Sequence, residues 1–420
     1  MSPHYYRGLK LKYSVKHLLI EPYRLFFFVG STMAILMQGH WFAHLVRKAH
    51  GTLNPALVRP TYQVHGHEMY YLIFAYFAFG FLLTAYPRFV DAPHPKPWQV
   101  LGWVACLFFS EILLWFGLRN PILFYLSSGL ELIVYVTVLL FLLRSFLKSK
   151  ATWRDQPRLI LIALIFGIIG STLGNLALIH PGWAGLRGLS VQFGLYGFIM
   201  LLIFAITWRV VPFFSSRVIP GYTMKRGQHS GKIVLGLISI RLLLGILTVK
   251  TPAFYATLLL FSWIVDTLFL ATFLYEIKNW RHWLAKVFPP LFILYVGLAW
   301  VVVFLAISPL QIIGRFFSPS LETFLLMHDK NLLHIFNLGA FGTLILAIAS
   351  RVTRGHGGLP LRFDALALLS LILMQVAMAV RVFDFHNTMH YASLLWIAAF
   401  SLWAWRHLPI LLQLPKGAET

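Results

Sequence analysis

This sequence predicts an all-α polytopic integral membrane protein with twelve transmembrane helices, and three observations carry the prediction. Apolar residues fill 59% of its 420 positions and charged residues only 11%, against about 25% charged in a soluble domain. Mean hydropathy is +0.75. The apolar residues gather in twelve runs near the roughly 20 residues a bilayer-crossing helix needs: 24–44, 66–86, 98–117, 121–143, 158–179, 189–211, 231–249, 252–274, 286–307, 331–352, 363–381 and 388–407.

Residues 1–23 hold Arg7, Lys10, Lys12 and Lys16 without a cleavage-site pattern, and read as a cytoplasmic tail before the 24–407 domain. Residues 408–420 read as a second cytoplasmic tail. Proline and glycine punctuate the loops, as in "DAPHPKPWQ" and "GHGGLPL". Most of the 35 Lys and Arg residues fall in 1–24, 144–158, 209–232, 275–286 and 351–362. Positive charge marks the cytoplasmic side, so both termini are expected inside. The net charge of +22 is thereby assigned to topology and anionic lipid rather than nucleic acid. The expected location is the bacterial inner membrane. Cys106 is the only cysteine, which excludes an internal disulfide or thiolate cluster and leaves metal chemistry mainly to 17 histidines.

Ten of the 17 histidines gather at the predicted outer face, including His40, His44, His65, His67, His328, His334, His386 and His390. A lone histidine at a helix end is ordinarily an interfacial hydrogen-bonder; a depth cluster with two spaced pairs asks for more. His40/His44 and His386/His390 are four apart, so each pair shares a helix face. His65 and His67 are two apart and point to different sides of one helix. Neutral imidazole suits copper and iron, and a pair from two helices suits haem. His67 or His65 is expected to supply one imidazole and His334 the other, with the remaining histidines available to a second metal. Met69, Met327 and Met389 adjoin them as soft copper ligands, although methionine here is more ordinarily packing.

Acids inside a membrane are costly and mark function. Glu68 lies one turn into the second run and is assigned to proton exchange or to orienting a histidine. Glu111 and Glu131 flank the turn near Asn120 at similar depth and are expected to approach each other as a proton relay; hydrogen-bonded structural acids are the plainer alternative. Arg241 and Asp266 read as an ion pair. At the predicted inner face, Arg209, Arg351 and His356 accompany Pro212 and a Gly-rich turn, a set suited to haem propionates or another anion.

Five stretches then resemble the NnrS family in order. They are "RLFF" at Arg24–Phe27, "VHGHEM" at Val64–Met69, "GFLLTAYP" at Gly80–Pro87, "RVVPFFS" at Arg209–Ser215 and "HIFNLGAFGTLILAIASRVTRGHGGLPL" at His334–Leu361. Departures are Leu25, Val64 and Leu359, where the family carries Pro, Trp and Arg. The resemblance implies a membrane protein with haem, expected to be b-type, and copper, linked to nitric-oxide stress and denitrification. It makes His65, His67, Glu68, Arg209, His334, Arg351 and His356 the motif-bearing positions. The expected function is handling of nitric oxide or another small gas, by binding or turnover, with a respiratory electron donor if turned over. A twelve-span secondary transporter and a redox subunit or assembly factor of a respiratory complex are the alternatives. The His-Pro-Glu-Val copper motif of haem-copper oxidases is absent.

Overall fold

A computed structural model describes residues 13–52, 55–117, 120–281, 289–383 and 388–415, with backbone only at 55–61, 181 and 289. The fold is 86% helical, with no strand among the described residues. Twelve helices there are long and apolar enough to cross a bilayer. They are span 1 (Pro22–Ala49), span 2 (Tyr62–Phe89), span 3 (Pro97–Gly117), span 4 (Pro121–Lys148), span 5 (Asp155–Ile179), span 6 (Leu186–Val218), span 7 (Ser230–Lys250), span 8 (Pro252–Asn279), span 9 (Pro290–Phe317), span 10 (Asp329–His356), span 11 (Ala365–Val382) and span 12 (Met389–Leu411). Helix is forced here, because hydrocarbon offers no partner for a free backbone group. The starts carry ordinary helix chemistry: Pro121 follows Asn120, whose side chain accepts from the Ile122 amide at 3.0 Å, and Asp364 accepts from the Ala367 amide at 3.1 Å.

Span 1 packs against spans 2 and 3, span 3 against span 4, span 7 against span 8, and span 11 against span 12. Span 4 meets span 5, span 8 meets span 9, and span 12 returns to span 1. Every fourth span, counting from span 2, lies at the centre. Spans 2, 6 and 10 are 83%, 89% and 61% buried, and no other exceeds 56%. These three alone carry π-helical segments within them, at Met69–Ile73, Phe193–Met200 and Ile335–Gly342. A π turn is wider than an α turn and favours functional sites. Glycines let two of the swollen segments pack closely. A Cβ on Gly197 would lie 2.8 Å from Phe166, and one on Gly342 would lie 2.9 Å from the Met374 sulfur.

Polar side chains tie neighbouring spans together. Gln38 donates to Ser393 (2.9 Å), Ser128 to Asn175 (2.9 Å), Gln375 to Thr343 (2.6 Å) and Trp403 to Ser350 (2.9 Å). Such bonds average about 0.6 kcal/mol in a bilayer, so they fix rotation more than they supply stability. The expected Arg241–Asp266 pair is present at 3.3 Å, and Tyr196 and Ser308 also donate to Asp266, binding spans 6 to 9 into one network.

An even number of spans puts both termini on one face, the terminal face, and the histidine-rich loops on the other. Topology reporters fused at Gly51 and Trp183 are expected on the periplasmic side and one at Ser149 in the cytoplasm. The reverse pattern would place the histidine face inside.

Candidate functional site

The histidine face holds a cavity of about 440 Å³, within the range of small-molecule sites. Span 2 contributes His65 and Met69, span 10 contributes His334 and Asn337, and span 12 contributes Met389. Lys48, Lys330 and Arg381 make its lining cationic. His334 Nδ1 lies 2.8 Å from the Lys330 carbonyl, an acceptor only, so Nδ1 carries the proton and Nε2 is left as a lone-pair donor. His65 stacks flat on Trp41, with ring centres 4.1 Å apart and planes within 1°, and its Nδ1 is buried without a hydrogen-bond partner. Trp41 also engages His44. That ring packs parallel to Trp41 at 5.3 Å and does not line the cavity.

His67 faces away from it. Its Nε2 pairs with Glu131 at 2.9 Å, and Glu131 also accepts from Ser171 (2.5 Å) and Asn175 (3.4 Å). Gly174 makes room for this pair, since a Cβ there would sit 2.5 Å from His67 Nδ1. Of the two histidines of span 2, His65 lines the cavity and His67 does not.

Glu68 is fully buried and accepts from the Trp115 indole at 2.9 Å. Its other neighbour is Glu111, which in turn adjoins Tyr76. Glu68 Oε2, both Glu111 oxygens and the Tyr76 hydroxyl are buried side by side, with no polar partner from outside this group. The expected Glu111–Glu131 approach is thus replaced by two separate groups. Spans 3 and 4 meet through Ser110 and Ser127, whose hydroxyls each donate to the other's carbonyl. Glu111, one residue on, is turned about 100° from that contact.

The remaining metal candidates disperse. His40 is exposed and packs on Trp115 at 4.1 Å. His328 bonds the Phe324 carbonyl at 2.8 Å, and His390 packs on Tyr391. His386 lies outside the described residues. Among the described residues no three His, Cys, Asp or Glu side chains converge as a metal set, so the expected second histidine centre is not assembled there.

On the terminal face, the anion expected for His356 is a residue of the chain. Glu21 Oε2 lies 2.6 Å from His356 Nδ1, and Glu21 Oε1 accepts from Arg88 at 2.7 Å. Burial alone would raise the Glu21 carboxyl, but His356, Arg88 and Arg24 outweigh it and hold it below the usual carboxylate value. Arg209 instead lies over Phe89 and Trp153, and Arg351 over Phe214 at 3.5 Å. The three candidates do not form one anion site. Sequence reasoning missed Trp41, Trp115, Tyr76 and Glu21; with only 13 acids in the chain, Glu21 beside Pro22 and Arg24 was the readable signal.

Fold and site together define a twelve-span helical membrane protein built around a buried, cation-rimmed histidine cavity. The family model described as NnrS protein matches residues 17–414, nearly the whole chain, and the chain belongs to that family. No curated protein matches it.

Because the Glu21 carboxyl is depressed, its stabilising contribution is present above the unfolded value of about 4.3 and is lost as pH falls through the folded value. Glu21→Leu should lower thermal stability by about 1–3 kcal/mol at pH 7, and the difference from wild type should shrink below about pH 4. Detergent-solubilised unfolding curves across pH check this; a difference independent of pH would remove the carboxylate from the explanation.

Proposed function

We propose that this protein binds haem in the histidine-face cavity and uses it to hold or turn over nitric oxide. One observation carries the reading: His65 and His334, from different spans, line a single cavity rimmed by Lys48, Lys330 and Arg381. The donor set fits the group. His65 and His334 would hold a haem iron, and Lys48, Lys330 and Arg381 would pair with its carboxylates. The haem is b-type in this reading, because thioether attachment uses a C-x-x-C-H pair of cysteines and Cys106 is alone. When bound, the group supplies a redox-active metal centre for a diatomic ligand. The chain's own residues do the rest. Trp41 fixes the His65 ring plane, the Lys330 carbonyl fixes the His334 tautomer, and Glu68, Glu111 and Tyr76 form a sealed group suited to proton exchange. Glu131 serves the same purpose through His67.

Membership of the NnrS family supports this reading. The recurrence of the most buried span at every fourth position, in spans 2, 6 and 10, differs from the two six-span halves of many twelve-span transporters. The family resemblance also brings copper, which in this cavity would be an alternative to haem, with Met69 and Met389 as soft ligands beside His65 and His334. With the histidine face outward, the site sits near the periplasmic side of the bacterial inner membrane and takes electrons from a respiratory donor.

A pyridine haemochrome spectrum with metal analysis on the purified protein separates the haem and copper readings. His65→Ala and His334→Ala should each empty the site or convert a low-spin spectrum to high-spin. His67→Ala should keep the spectrum and lose about 1–3 kcal/mol of stability, because Glu131 is left short of a buried partner. Full haem with an unchanged spectrum in both cavity variants would overturn the assignment.

A further inference from the structure

A second cavity lies deeper, where the three central spans meet. It measures about 60 Å³, and its walls are almost wholly carbon: Phe74 and Phe77 from span 2, Phe198 and Leu202 from span 6, and Phe341 and Leu344 from span 10. Its one hydroxyl, on Thr207, already donates to the Ile203 carbonyl at 2.6 Å. A water needs roughly 10–15 Å³ and two to four polar partners. Space is therefore present for a water and partners are not, which favours an apolar occupant.

The cavity is tied to the π-helical segments. Phe198 and Phe341 belong to the segments of spans 6 and 10, and the Phe74 amide closes the segment of span 2 by bonding to the Met69 carbonyl. Phe74 is also a wall of the histidine cavity, as are Met69 and Trp396. Its ring packs edge-on against Phe341 at 4.2 Å and lies 6.4 Å from Trp396. One aromatic side chain thus lines both the apolar chamber and the cation-rimmed one.

We infer that the deep cavity is a binding site for one small, uncharged, apolar molecule of diatomic size, and that Phe74 is the partition between it and the histidine cavity. Apolar solutes leave water for hydrocarbon, so such a molecule reaches this cavity from the membrane rather than from solution. A role in delivering a gas to the histidine cavity rests on the haem reading above; the binding itself does not.

Xenon is the probe, applied under pressure to crystals of the full chain. An anomalous peak is expected among Phe74, Phe198 and Phe341. Ile203→Phe should abolish it; should that variant not fold, Ala78→Leu fills the cavity from span 2. In Phe74→Ala the xenon density should spread toward Met69 and Trp396. An empty or water-filled cavity in the wild type, or a peak unchanged in the filled variants, overturns the site. A single unmoved peak in Phe74→Ala overturns the partition. Because xenon needs no iron, a xenon peak in a protein with no haem spectrum would sink the haem reading and leave this one standing.

Discussion

A chain inside hydrocarbon must satisfy each backbone amide and carbonyl along its own helix, and the three central spans meet that demand with a change of register. Passing from α to π and back keeps the hydrogen bonds while rotating the side chains that follow relative to those before. In span 2, His65 and His67 precede the shift and Phe74 ends it. In span 10, His334 directly precedes the shift and Phe341 lies within it. The polar chamber and the apolar one are therefore stacked along the same helices, and the disturbance lines both.

The two histidines of span 2 illustrate how little sequence distance separates distinct chemistry. His65 is held by an aromatic plane, which fixes orientation without consuming either nitrogen. His67 is held by a carboxylate that is itself held by Ser171 and Asn175, and this uses the nitrogen a ligand would need. Trp41 stacks on both His44 and His65, and of these two histidines only His65 lines the chamber.

Class, span number and span positions were legible, because a bilayer imposes length and hydrophobicity on every crossing helix. The divergence of His65 from His67 was legible too, since helical rotation is fixed at 100° per residue. Azimuth was not. Spans with apolar residues all round give no face to read, so equal depth suggested that Glu111 would meet Glu131, although Ser110 and Ser127 already occupy the hairpin contact. Nor does periodicity reveal which of four spans becomes central. That depends on tertiary packing, and the recurrence of the centre at every fourth span became visible only in three dimensions. The arginines near the terminal face were read as one anion site because they share a depth. Aromatic rings and Glu21 divide them instead.

The closure of the ring has a bearing on how this molecule is made. Span 1 packs against span 12, and the terminal segments are sewn together at its base. The Ser14 amide and His17 both reach the Leu412 carbonyl, while Arg24, wholly buried, donates to the carbonyls of Leu411 and Gln413. The earliest span to enter the bilayer thus waits for the latest. At about 5–20 residues per second, the roughly 340 residues between them take on the order of 20–70 s to synthesise. During that interval the flank of span 1 bearing Gln38 faces lipid or an insertion partner, and Arg24 has none of its eventual acceptors near the C-terminus. Closure of the ring therefore depends on span 12, and until it arrives span 1 lacks partners it has in the folded protein.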